Sequence, residues 1–211
     1  MPGGSEPIRV LPEPPSLPEV ERPVSEPLVR AADSGIAVVP VYHEACLPGA
    51  VEEVWLRSEV VARLAGVTAS LPRPFGLVVF DGWRPLTLQR WLHADAVARV
   101  GTAVGFVSEA ASDPRRPPPH LTGGAVDLTL SVEGEALALG TCFDAFVPEA
   151  APDAFEGRPG AVRALRRLLH EAMTAAGFVP LATEWWHFEY GTPRWAALRG
   201  GDPLYGPASP P

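Results

Sequence analysis

Apolar positions along this 211-residue chain follow two rhythms. Short dense runs read as strands: Gly35-Ile36-Ala37-Val38-Val39-Pro40-Val41-Tyr42, Phe75-Gly76-Leu77-Val78-Val79-Phe80 and Ala125-Val126-Asp127-Leu128-Thr129-Leu130. They are apolar, β-branched and brief, and Pro40 restricts the first to a sheet edge or a bulge. Longer stripes read as helices. From Ala50 to Leu64, apolar residues recur at 51, 54, 55, 61 and 64, and Gly66 supplies a stop signal. After Asp81-Gly82-Trp83-Arg84-Pro85, the residues Leu88, Trp91, Leu92, Ala96 and Val100 share a helical face. The strongest helix is Gly160 to Ala176, opened by Pro159, capped by Gly177 and apolar at Val162, Leu165, Leu168, Leu169, Ala172 and Met173. Phe178 to Leu181 then leads into an aromatic-rich segment that suits a strand packed on that helix.

Between these elements, Ser108 to Pro119 must be irregular, because Pro117, Pro118 and Pro119 exclude helix and central strand. Gly140 to Pro159 is a second loop-rich stretch. Residues 1–27 carry prolines at 2, 7, 12, 14, 15, 18, 23 and 27 with interleaved glutamates, and read as a disordered or polyproline-like tail. Residues 199–211 read as a Gly/Pro-rich tail. That leaves one domain, 28–198, and the length suits a single core.

Composition narrows the partners. A net charge of −8 supplies no basic stripe to neutralise phosphates, which argues against nucleic acid and an anionic membrane surface. Cys46 and Cys142 stand alone without Cys-x-x-Cys spacing and read as two free, buried thiols. The N-terminus lacks a basic and an apolar leader region, and no run approaches a membrane span, so the expected location is cytoplasmic.

Two stretches hold unusual chemistry. His120-Leu121-Thr122-Gly123-Gly124-Ala125-Val126-Asp127 puts an imidazole and a carboxylate around a glycine turn, with the aspartate inside an apolar strand where it needs a partner. A metal is one partner; backbone hydrogen bonds in the adjoining loop are the other. Glu184-Trp185-Trp186-His187-Phe188 adds a second carboxylate and imidazole beside indoles that exclude water. In a regular strand 184 and 187 face opposite sides, so both serve one site only if the chain bends or Glu184 lies at the strand's entry. Together the stretches offer the ligand set of an open zinc site plus a general base. Arg84, at a strand-to-helix loop, is either functional or an ordinary helix-entry arginine paired with a carboxylate. His43-Glu44 and His170-Glu171 lack a second histidine four residues on, so the helical zinc motif is absent; His43, His93 and His170 read as structural or exposed.

His-x-x-Gly-x-Ala-x-Asp-Leu-Thr-Leu at His120 to Leu130, followed by Glu-Trp-Trp-His-Phe at Glu184 to Phe188, resembles the zinc D-alanyl-D-alanine dipeptidases. These include the vancomycin-resistance dipeptidase and related peptidoglycan D,D-carboxypeptidases. The resemblance runs from about Phe75 to Phe188. It implies a compact α+β domain whose antiparallel sheet carries the site, with helices packed against it. It also implies one Zn2+ held by His120, Asp127 and His187, with Glu184 as general base. Arg84 would polarise the scissile carbonyl, and Asp144 would stand near the substrate's free ammonium. The implied substrate is D-alanyl-D-alanine or a similar small peptide. The rivals are a D,D- or L,D-carboxypeptidase of longer muropeptides and a catalytically silent zinc-containing binding domain. The chain departs from the family at Pro118, where a serine is common, and at Tyr42-His43-Glu44-Ala45-Cys46, where an Asn-Phe pair is absent.

Overall fold

The structure, a computed structural model, describes residues 6–105 and 107–211. In chain order the regular elements are β1 (Leu28–Arg30), β2 (Ala37–Val38), α1 (Val41–Glu44), β3 (Trp55–Arg57), α2 (Ser58–Ser70), β4 (Phe75–Asp81) and α3 (Leu86–Val100). There follow β5 (Ala125–Val132), β6 (Glu135–Ala136), α4 (Ala161–Ala175), β7 (Val179–Pro180), β8 (His187–Glu189) and α5 (Pro193–Arg199). The main sheet has the order β2-β4-β5-β8-β7, with β6 also paired to β5; β1 and β3 form a separate ribbon.

Alternation along β5 explains how one strand serves both the core and the site. Val126, Leu128 and Leu130 join the main hydrophobic core with Leu77 and Val79 of β4, Leu64 of α2, and Leu169 and Met173 of α4. Asp127, Thr129 and Ser131 take the other face, because successive strand side chains point oppositely. Burying each such aliphatic side chain contributes about 1.5–3 kcal/mol, so the apolar set fixes which way Asp127 points. On the Asp127 side, Tyr42 of α1 and Leu88 and Leu92 of α3 form a second cluster.

The α+β class holds, but the sheet is mixed rather than purely antiparallel: β2 runs parallel to β4. The connection between those strands includes α1, β3 and α2, the kind of long crossover that parallel pairing needs. Pro40 ends the edge strand early, and residues 41–44 turn into a short helix instead of extending it. The helix expected over Ala50 to Leu64 is displaced: Trp55–Arg57 is a strand, and α2 buries Val60, Val61, Leu64 and Val67. Gly66 lies inside α2, where a Cβ would meet nothing within 4 Å. Gly177 closes α4 as expected, with φ 90° and bonds from Gly177 N to Thr174 O (3.0 Å) and Phe178 N to Met173 O (3.2 Å).

The flanking segments differ from the expected tails. Ile8 and Val20 are buried, and Glu13 makes a two-point ion pair with Arg194. The Glu26 carboxylate accepts from Ser58 Oγ (3.0 Å) and Tyr205 Oη (2.8 Å). At the other end Tyr205 is 1% exposed, and Trp83 Nε1 donates to Ala208 O (2.7 Å). Few of these residues are strongly apolar, so polar anchors hold what composition alone reads as loose chain. Cys46 and Cys142 are free as expected but exposed, each lying in a loop outside the core. No helix among the described residues is long and apolar enough to cross a membrane.

Candidate active site and metal centre

Three adjacent strands place three ionisable side chains in one row. In the sheet register Asp127 of β5 faces His187 of β8 on one side and Asp81 of β4 on the other. Directly opposed residues project to the same face, so the row converges. A register shift between Val79 and Asp81 brings Asp81 into line. His120 comes from the 3-10 turn Pro119–Thr122 just ahead of β5. Gly123 ends that turn at φ 72°, and a Cβ on Gly124 would lie 2.5 Å from Tyr190 O. The two glycines therefore let the His120 turn fold onto the strand.

The donors point inward. His120 Nε2 lies 3.3 Å from His187 Nδ1 and 3.4 Å from Asp127 Oδ2, and His187 Nδ1 lies 2.9 Å from Asp127 Oδ1. The outer nitrogens are committed. His120 Nδ1 sits 2.7 Å from the carbonyl of Gly82, an acceptor only, which leaves Nε2 with its lone pair. His187 Nε2 faces Glu189 Oε1 at 3.2 Å. Such outer partners fix the tautomer of metal-binding histidines. Tetrahedral zinc with bonds of about 2.0–2.1 Å separates its ligands by about 3.3–3.4 Å, which the donor spacings suit. Among the described residues, His120, Asp127 and His187 are the cluster able to hold an ion, with all ligand atoms within 4.8 Å of one another.

The surroundings of the row favour positive charge beside Asp127. Burial opposes charge on His187, but its hydrogen bonds to the carboxylates of Asp127 and Glu189 raise its pKa to about 10. Burial likewise opposes ionisation of Asp127, yet His120 and His187 hold its pKa below the usual carboxylate range. Without a metal, a proton supplies the positive charge; a divalent ion would displace it.

Beside the triad lies a second buried group. Arg84 is 6% exposed and donates through Nε to Asp81 Oδ2 (2.8 Å), through NH1 to Gln89 Oε1 (3.1 Å), and through NH2 toward Asp127 Oδ2 (3.3 Å) and Tyr42 Oη (3.4 Å). It does pair with a carboxylate, but inside the cavity rather than on the surface. Tyr42 Oη in turn donates to Asp144 Oδ2 (2.7 Å). Burial lifts the Asp144 pKa to about 6, the Tyr42 bond opposing and the charge of Asp127 adding. Asp144 itself has φ 56°. Its loop is tied to α4 by Arg166, which donates to Leu139 O (2.7 Å) and Glu149 O (2.8 Å). Glu184 lies in the loop before β8, so the chain bends ahead of the strand and the facing problem disappears. It is buried, and its pKa is pushed well above the usual value by that burial, with His187 opposing and Asp127 and Asp144 adding.

All six sequence-predicted residues, Arg84, His120, Asp127, Asp144, Glu184 and His187, line one cavity of about 570 Å³. A model of peptidases described as D-ala-D-ala dipeptidase matches residues 52–196. The chain belongs to the D-ala-D-ala dipeptidase family. This is a metal-dependent peptidase family. The D-alanyl-D-alanine dipeptidase of Synechocystis sp. is 29% identical over 175 residues, covering 67% of this chain and 71% of the relative. That of Escherichia coli is 33% identical over 137 residues, with 63% and 60% covered, and that of Streptomyces coelicolor 33% over 132 residues, with 54% and 61% covered. The chain thus spans under two thirds of the latter two relatives. A crystal structure of the vancomycin-resistance D,D-dipeptidase VanXYg with a D-Ala-D-Ala phosphinate analogue gives a TM-score of 0.40 at 19% identity, covering 65% of this chain and 51% of that one.

Sequence reasoning missed four polar members of the site: Tyr42, Asp81, Gln89 and Glu189. Glu189 carried a signal, since it stands two residues after His187 and so shares its strand face. Asp81 stood in the turn that drew attention to Arg84. Tyr42 and Gln89 join only through the folding of α1 and α3 over the sheet, and nothing in their neighbours marks them.

Proposed function

We propose that the protein is a zinc-dependent dipeptidase that hydrolyses D-alanyl-D-alanine or a similar short D-amino-acid dipeptide. The observation that carries the reading is the convergence of buried His120, Asp127 and His187, with Glu184 and Arg84 lining the same cavity. His120, Asp127 and His187 would hold the ion. When bound, zinc supplies a Lewis acid that lowers the pKa of water to about 7 and so makes a nucleophile available at neutral pH.

The chain's own residues do the rest. Glu184 accepts the proton of the attacking water and delivers it to the leaving amine; burial raises its proton affinity, which favours taking up that proton. Arg84, charged and fixed by Asp81 and Gln89, polarises the scissile carbonyl and stabilises the developing oxyanion. Asp144, held by Tyr42, pairs with the substrate's free ammonium. That pairing favours a dipeptide over a longer muropeptide, whose chain would present an uncharged amide at this point. Pro118, which lacks a hydroxyl, lines the cavity, so the substrate's hold on that side differs from a serine-bearing site.

A panel of D,D-, L,D- and L,L-dipeptides and a muropeptide, incubated with the zinc-loaded protein and with chelator, tests the reading. Chelator-sensitive cleavage of D-Ala-D-Ala, faster than of the muropeptide, is expected. Preferred cleavage of the muropeptide, or no cleavage of any dipeptide, would refute it.

A further inference from the structure

On its outer side His187 joins a continuous line of charged groups, Glu189, Arg194 and Glu13, that runs along the wall of the same cavity. Glu189 is 1% exposed, on the same strand face as His187. Its Oε1 faces His187 Nε2 (3.2 Å) and Arg194 NH1 (3.5 Å), and its Oε2 accepts from Thr192 Oγ1. Arg194, 5% exposed, donates through Nε and NH2 to the two carboxylate oxygens of Glu13 (2.8 and 2.7 Å) and through NH2 to Pro180 O (2.8 Å). Glu13 belongs to the N-terminal segment. That segment is fastened on either side of it, at Ile8 N by Glu156 Oε1 (3.1 Å) and at Glu19 by Arg115 and Arg116 (2.8 and 2.7 Å).

Physical chemistry gives this line a direction. A buried carboxylate with no compensating charge is costly, so Glu189 needs Arg194; a buried guanidinium needs its anions in turn, and Glu13 closes the series. At the inner end, a carboxylate accepting from Nε2–H leaves the Nδ1 lone pair free for a metal and fixes the ring plane. If Glu189 merely stabilised the sheet end, neutralising it would change stability and leave the metal's hold unaltered.

We infer that Glu189 is the positioning residue for the ligand His187, and that Glu13, acting through Arg194, holds Glu189 in place. The N-terminal segment is then part of the support of the metal centre. The inference rests on the reading that His120, Asp127 and His187 bind zinc.

The test is the zinc dissociation constant of the full chain by chelator competition, for wild type, Glu189→Ala, Glu189→Gln and Glu13→Ala. Near-UV circular dichroism checks the fold of each. Glu189→Ala should bind zinc about 10- to 100-fold more weakly. Glu189→Gln, whose amide oxygen still accepts from Nε2–H, should recover part of that loss without reaching wild type. The visible spectrum of its cobalt-substituted form should shift. Glu13→Ala should weaken zinc in the same direction by less than Glu189→Ala. Folded Glu189 variants with wild-type zinc affinity would overturn the positioning role, and if Glu189→Ala does not fold, Glu189→Gln decides. Wild-type affinity in Glu13→Ala would overturn the part assigned to the N-terminal segment. A wild type that binds no zinc would instead bring down the metal reading beneath both, a result distinct from variants that match a zinc-binding wild type.

Discussion

Asp127 and His187 sit opposite each other on two hydrogen-bonded strands, whereas Arg84, Tyr42 and Asp144 arrive from a strand-to-helix turn, a one-turn helix and a loop. Backbone pairing positions the first group. Its register cannot slip by one residue without turning Val126 and Leu128 out of the core. The second group is positioned by its own side-chain bonds: Arg84 to Asp81 and Gln89, and Tyr42 to Asp144. The difference teaches which functions should separate. Changes on the strand side should release the metal, while changes on the loop side should damage turnover or substrate binding and leave the metal in place.

Glu184, which precedes β8, offers the largest test of that division. Glu184→Gln should lower kcat by about 10²- to 10⁴-fold, the usual worth of a general base, while zinc content by metal analysis stays that of wild type. Loss of zinc in this variant would place Glu184 on the metal side instead. Arg84→Lys should cost about 10²- to 10³-fold in kcat, because an ammonium cannot reproduce the forked contacts that aim the guanidinium. Zinc should again be retained, and steady-state kinetics beside metal analysis distinguishes the two effects.

Asp144 should give the smallest change and act on binding. A charge-assisted hydrogen bond is worth about 1.5–3 kcal/mol, so Asp144→Asn should raise KM for a dipeptide by about 10- to 150-fold with kcat less affected. The ionised carboxylate pairs with the ammonium, and it exists above a pKa of about 6. Wild-type kcat/KM should therefore fall as pH drops through about 6, and the Asp144→Asn profile should lose that inflection. An unchanged profile would remove Asp144 from substrate binding.

The same division governs what the sequence reveals. His120 to Asp127 and Glu184 to His187 are two compact stretches because a turn or loop leading directly into a strand keeps their candidate site residues close in the chain. The loop-side cluster draws Tyr42, Arg84 and Asp144 from points successively 42 and 60 residues apart; of these, Arg84 is legible through its strand-to-helix turn and Asp144 only through the family resemblance. The fold behaves likewise. The runs at 75–80 and 125–130 became β4 and β5 because their apolar density is unambiguous. β3 is hidden because Val54 and Trp55 also fit a helical stripe, and the parallel pairing of β2 depends on a crossover that no local pattern announces.

Metal analysis of the purified chain after exhaustive dialysis tests the central claim most directly. The expected result is one zinc per wild-type chain, lost in His187→Ala and in Asp127→Ala and retained in Glu184→Gln. Zinc content that survives removal of either side chain would contradict the claim that His120, Asp127 and His187 together hold the ion.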